Sequence, residues 1–199
     1  VGHALARAFG AEQPRLAVDS AGAVPFYSRL PALDMLGLCD HTIARTPFRP
    51  WLLDVKARGD VPLPPGHLRG NGAYVMDQSP DLILMGPPPG LPLPVFVSAL
   101  EFEYDPRFFE RYRCVLVDLG RVEILPGIEE PIVAPLWVLL HGRTGVRSAP
   151  DRMEIPAWLF GGHTQTRPLM VRRLPPGPDT EEGRAIAAGV HAVSDWYYG

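Results

Sequence analysis

The sequence predicts an α/β domain: a layered sheet with flanking helices, irregular Pro/Gly-rich loops and a β-rich C-terminal portion. Three observations carry this. Helix-spaced and strand-like apolar segments alternate through the first ninety or so residues. The 24 Pro and 20 Gly among 199 residues break the chain into short elements joined by stiff connections. The Pro87-Pro88-Pro89-Gly90 breaker is the strongest internal boundary, and from about residue 120 onward the chain reads as a β-rich lobe against the first half. The chain is long enough to bury a real core and reads as one domain, with residues 1–90 the motif-bearing half and 91–199 a second half packed against it.

Val1, Ala4, Leu5, Ala8 and Phe9 fall on one helical face, and Gly10 and Pro14 mark the end of that helix. Arg15 to Val18 opens a strand, Asp19-Ser20-Ala21-Gly22 punctuates it, and Ala23 to Tyr27 forms a second short element. Leu33 to Leu38 is a further apolar step. Asp40 to Arg45 reads as a helical turn capped by Asp40. Trp51 to Arg58 is helix-like before a proline-rich loop, and Ala73 to Met76 is a short apolar element. Pro80 to Gly86 is a buried strand that stops at the proline run, the strongest internal boundary. Leu91–Leu100 and Ile132–Leu140 are too short and proline-interrupted to cross a bilayer, so both are read as buried strands or strand-loop segments. Asp105 to Arg111 is helical and Tyr112 to Leu119 a strand. Pro131 to Leu140 and Ala157 to Phe160 are further strands, and Thr180 to Tyr198, with Glu181 and Glu182 in its first turn, is a terminal helix.

A formal net charge of -3 with 21% charged residues gives no electrostatic reason to expect nucleic acid as a partner. Lys56 is the single lysine among 19 basic residues, a bias assigned to coding preference rather than to anion binding. The residues from Val1 carry no basic-then-apolar leader pattern, which points to a fragment or a processed chain. Cys39 and Cys114 are either one disulfide or two thiols. No G-x-S-x-G elbow, phosphate-binding G-x-x-x-x-G-K-[ST] loop or H-E-x-x-H helix is present, and neither cysteine has a nearby histidine in an arrangement that suggests an activated nucleophile.

The candidate ligand-binding residues lie in Ala17–Arg45 and Pro65–Gly86, where acids, a histidine and an arginine interrupt apolar elements near turns. Asp19 and Asp34 sit at strand-like segments, where an acid is costly to bury alone; each either bonds sugar hydroxyls or a cation, or accepts backbone N–H groups in its turn. Asp40 is read first as an N-cap. His41 and Arg45, four apart, share a helical face suited to an anion or to an ion pair. His67, among flexible glycines, is either a ligand or a solvent-facing loop residue. Phe26, Tyr27, Trp51 and Tyr74 offer sugar-stacking faces or core rings. Asp19, Asp34, His41 and His67 are metal-competent by type but lack the short spacing of structural zinc, so neither metal nor other cofactor is expected.

AGAVPFYSRLPALDMLGLCDHTIAR (residues 21–45), PGHLRGNGAYV (65–75) and SPDLILMG (79–86) resemble the C-terminal domains of bacterial GT-C-type membrane glycosyltransferases, among them terminal mycobacterial-type arabinofuranosyltransferases and flagellar motor control membrane proteins. The shared steps fall on Pro25-Phe26-Tyr27-Ser28, on Asp34 with Gly37, Leu38 and Asp40, on Ile43-Ala44-Arg45 and on Gly66-His67; Phe26 stands where an aromatic hydroxyl is more usual. The resemblance covers roughly residues 15–86. It implies a transmembrane half carrying the catalytic acid and using a polyprenyl-phosphate sugar, with this domain on the extracytoplasmic face of the cell membrane. The domain is then expected to contact a glycan or cell-envelope polysaccharide through Asp19, Tyr27, Asp34, Asp40, His41, Arg45 and His67 without catalysing a reaction alone. The alternatives are a structural or protein-interaction module packed on membrane loops or a partner and, third, a metal-dependent hydrolase.

Overall fold

A computed structural model describes residues 1–49, 67–92, 94–102, 104–148, 153–154 and 166–169. In chain order the elements are α1 (Gly2–Phe9), β1 (Leu16–Val18), α2 (Ala23–Ser28), β2 (Ala32–Asp34), α3 (His41–Ala44), α4 (Gly72–Asp77), β3 (Leu82–Leu84), α5 (Val97–Phe102), α6 (Pro106–Arg111), β4 (Tyr112–Leu125), β5 (Ile128–Leu139), β6 (Arg147–Ser148), β7 (Met153–Glu154) and β8 (Thr166–Leu169). The helix expected over Trp51–Arg58, the strand over Ala157–Phe160 and the terminal helix over Thr180–Tyr198 lie outside the described residues, as does Gly66.

The main sheet runs β2-β1-β3-β5-β4-β8. β1 is parallel to both neighbours, with Val18 opposite Asp34 on one side and Leu84 on the other. β5 is antiparallel to β3, pairing Trp137 with Ile83, so strands from both sides of the proline run share one sheet. The α/β fold class read from the sequence is what the structure has.

Strand alternation sends side chains to two faces, and both are covered. Leu16, Val18, Leu82 and Leu84 pack with Leu5, Ala8 and Phe9 of α1 and Val24 of α2. Ala17 and Ile83 point the other way, into Ile43 of α3, Val75 and Met76 of α4, Ala99 and Phe102 of α5 and Phe108 of α6. The chain therefore leaves β1 toward the α1/α2 face but leaves β2 and β3 toward the opposite face. β1 stands at a topological switch point, and the carboxyl ends of β1, β2 and β3 open onto a common edge, the usual ligand side of such sheets.

One expected element is corrected. Leu91–Leu100 is not a strand: its second part is helix α5, with Val97, Ser98, Ala99 and Phe102 buried. An unbroken apolar run carries no period that separates helix from strand. The choice here is tertiary. A Cβ on Gly70 would lie 2.5 Å from the Ser98 nitrogen and one on Gly72 2.6 Å from the Glu101 Cβ, so these two glycines let the segment before α4 lie directly on α5.

Cys39 and Cys114 are both free, the first exposed and the second buried in the sheet. Burial pushes the Cys114 thiol up to about 12, which removes it as a nucleophile. Among the described residues no helix is long and apolar enough to cross a membrane.

Candidate functional site

Asp19 is the first residue beyond β1 and Asp34 the last of β2, so two acids occupy adjacent strand ends on the carboxyl edge. Both are buried. Their environments differ in one respect. Asp34 is fully engaged by its own loop: Oδ1 accepts the Leu36 N–H at 2.9 Å and Oδ2 accepts the Cys39 N–H. Those bonds fold residues 34–39 into a tight turn, in which Gly37 takes φ +77° with its Cα against Ile43 and Ala44.

Asp19 is only half engaged. Oδ2 accepts the Gly86 N–H at 2.7 Å, across from the end of β3, while Oδ1 is buried with no hydrogen-bond partner among the described residues. The backbone N–H of Asp19 donates to Leu84 O, and the Ser20 hydroxyl donates to Gly86 O at 3.3 Å. Desolvation raises the carboxyl from its ordinary value of 3.8 to about 7, with the neighbouring Asp34 charge adding to the rise against the Gly86 hydrogen bond. An acid poised near neutrality at a strand end is the electrostatic signature that marks this edge for attention.

A third buried acid, not singled out by sequence reasoning, shows what a purely architectural carboxylate looks like here. Asp81 lies at the opposite end of β3, where Oδ2 accepts the Arg15 N–H and Oδ1 the Arg143 N–H, both at 2.9 Å. It ties the start of β1 to the turn after β5. The one local signal for it was its place in the Pro80-Asp81 entry to a strand; its partners are remote in sequence.

The remaining candidates divide between the two faces. Asp40 caps α3 as its residue type predicts: Oδ1 accepts the Thr42 and Ile43 N–H groups at 2.9 Å, and Oδ2 accepts the Tyr74 hydroxyl at 3.2 Å. Tyr74 is thereby a strut between α4 and α3. We expect Asp40→Ala to lower stability by about 1–2 kcal/mol in urea denaturation, since it removes the cap and the strut together. His41 is exposed on the first turn of α3, and Arg45 is its exposed C-cap residue.

His67 is half-buried, its ring centroid 5.6 Å from that of Phe96 and its Nδ1 buried without a partner among the described residues. Phe96 belongs to a small cluster with Leu36 and Val97. The glycines after His67 serve packing, as described, and Asn71 caps α4 through Tyr74 N–H while its own N–H donates to Ser98 Oγ. Ser98 Oγ in turn donates to Met35 O at 2.7 Å, fastening the α4–α5 pair to the end of β2.

Tyr27 lies with α2 on the other side of the sheet. Its ring centroid is 4.6 Å from that of His3 and 5.1 Å from that of Phe26, and it is 47% exposed, with Phe26 74% exposed. A Cβ on Gly2 would meet Tyr27 Cβ at 2.8 Å, so the close α1–α2 contact that seats the His3 and Tyr27 rings depends on glycine there. His3 gave no sequence signal beyond its place on the polar face of α1. The predicted set is therefore not one pocket: Asp19 and Asp34 share the edge, Asp40, His41, Arg45 and His67 belong to the α3–α5 side, and Tyr27 to the α1/α2 side. Among the described residues no three His, Cys, Asp or Glu side chains converge in a way that would hold a metal ion.

No curated protein matches the chain, and no solved structure does. Residues 1–124 match a family described as a domain of unknown function, DUF8728, a span that takes in the switch point, both buried acids of the carboxyl edge and every residue of the predicted set. That is well over half of the 199 residues, so the chain belongs to the DUF8728 family.

Proposed function

We propose that this domain is a non-catalytic accessory module of a membrane glycosyltransferase, that it stands on the extracytoplasmic face, and that it contacts a glycan acceptor such as a cell-envelope polysaccharide. The observation that carries the reading is the solvent-facing ring group His3–Tyr27–Phe26 on the helices beside the loop that leaves β1. Exposed aromatic faces with polar tips suit the alternating C–H and hydroxyl surface of a sugar, and desolvating them against a saccharide repays part of the cost of leaving them in water. The sequence resemblance over roughly residues 15–86 supports the same class, and the transmembrane half it implies would be the domain's partner within the same protein.

The test is a titration of the domain with cell-wall oligosaccharides followed by NMR, repeated on Phe26→Ala and Tyr27→Ala. Both residues are solvent-exposed, so both variants should stay folded. Weak binding, with Kd on the order of 1 mM, is expected for the parent, with at least a roughly tenfold loss in each variant, corresponding to about 1.4 kcal/mol or more. Absence of any shift across the panel removes the saccharide reading.

A second reading, that of an interaction module, is favoured by a different feature. From Asp118 to Leu125 and from Ile128 to Val133, β4 and β5 pair with each other and with no other described strand, since β8 reaches only Cys114–Val117 and β3 only Trp137–Val138. This ribbon exposes Leu125, Ile128 and Val133 near its turn. An isolated two-stranded ribbon is marginal in water, so such an arm gains from resting on another surface.

A further inference from the structure

Among the described residues the Asp19 carboxyl is a buried group at the carboxyl edge whose hydrogen bonding is incomplete, and two loops lie over it. Its side chain is 1% exposed, with Oδ2 on the Gly86 N–H and Oδ1 without a partner among the described residues. The groups that act on it are the Gly86 N–H from beyond β3 and the Asp34 carboxylate from β2; Asp34 is the charged one, and it carries the same sign. Asp34 has no slack to respond, because both its oxygens hold backbone N–H groups.

The two loops at this edge meet at Gly86, and the second is closed by the Met85–Leu91 bridge. Among the described residues the side-chain hydrogen bonds that join them are that from the Gly86 N–H to Asp19 Oδ2 and that from Ser20 Oγ to Gly86 O, at 3.3 Å. Gly86 and Gly90 take φ +71° and +114°, and the Gly86–Leu91 loop is closed by the Leu91 N–H on Met85 O. A Cβ on Gly22 would meet nothing within 4 Å. An ionised carboxylate beside a second carboxylate, with one buried oxygen given no partner among the described residues, is relieved by hydration, and these loops are what cover that oxygen.

We propose that the Asp19 carboxyl is a proton-operated latch on the loops Ser20–Gly22 and Gly86–Leu91: with its proton bound the loops close over it, and on losing the proton to solvent it draws water in and the loops separate. The inference requires no ligand and stands apart from the saccharide reading. In the closed form the acid titrates near 7 and in a hydrated, open form near its ordinary 3.8, so the open-to-closed ratio rises about tenfold per pH unit between about pH 4 and 7 and is level above that.

Amide hydrogen exchange by NMR on the whole chain, corrected for the intrinsic pH dependence of exchange and run in low urea, reads this directly. Protection of the Gly86 and Leu91 amides should fall roughly 50-fold between pH 5 and 7. That fall should be insensitive to urea, whereas the Val138 amide, in the sheet interior, should exchange through urea-sensitive global unfolding. Asp19→Asn keeps an acceptor for Gly86 and cannot ionise, so its Gly86 protection should be flat across the same range. Asp34→Asn, which removes the neighbouring charge, should move the transition to lower pH. Gly86 protection that is unchanged from pH 5 to 7, or that follows urea as Val138 does, overturns the latch; an unmoved transition in Asp34→Asn overturns the part played by the second acid.

Discussion

Phe108→Ala should cost about 3–5 kcal/mol. Phe108 is buried on α6, and its ring centroid lies 4.5 Å from Trp137, 5.0 Å from Phe102 and from Phe109, and 5.6 Å from Tyr112. These neighbours come from α5, α6, β4 and β5, so the ring joins the helical layer to the half of the sheet built from the later strands. The hole left by its removal is lined by large rigid rings, which collapse poorly. Urea denaturation followed by tryptophan emission measures the effect. A loss under about 1 kcal/mol would mean that the rings close over the gap and that this joint is far more plastic than its packing suggests.

Asp19→Asn should act in the opposite direction. The folded chain binds the Asp19 proton more tightly than the unfolded chain does, with the carboxyl near 7 against 3.8. Its contribution to stability is therefore fully present below about pH 4, shrinks as the pH rises, and is gone above about 7. The shift corresponds to roughly 4 kcal/mol, an upper figure because partial hydration of the folded acid reduces it. Asparagine copies the neutral acid at every pH. The variant should thus match the parent near pH 4 and exceed it by up to roughly that amount at pH 8, as measured by denaturation at both values. Equal stability of the two proteins at pH 8 would mean that Asp19 is solvated or paired in the folded state.

The parts of this structure that were readable from sequence are those fixed by neighbours along the chain. The apolar spacing of α1, the entry to β3 from a turn, the Asp40 cap and the helix before Tyr112 each depend on residues within a few positions. What escaped depends on remote partners. α5 packs closely on Gly70 and Gly72, a contact that nothing inside Leu91–Leu100 announces. The contrast between Asp19 and Asp34 is of the same kind. Asp34 is satisfied by Leu36 and Cys39, a local arrangement that a small-loop pattern can suggest, whereas Asp19 depends on Gly86, 67 residues away. Residue types alone placed Asp19, Tyr27, Asp34, Asp40, His41, Arg45 and His67 in one candidate set; the crossover to opposite faces at β1 is what separates them.

The placement of β5 beside β3 also bears on how the chain reaches this state. Ile83 has Ala17 on one side and Trp137 on the other, so the central strand waits for partners from far upstream and far downstream. Each closure costs loop entropy before any burial offsets it, which puts the domain toward the slow end of folding for its size. Until residue 139 has left the ribosome, β3 presents an unpaired apolar edge, and a chain stopped at residue 124, where the family match ends, keeps that edge permanently. Such an edge is a template for pairing with other chains, so the early strands are safe from self-association only once the late hairpin has docked.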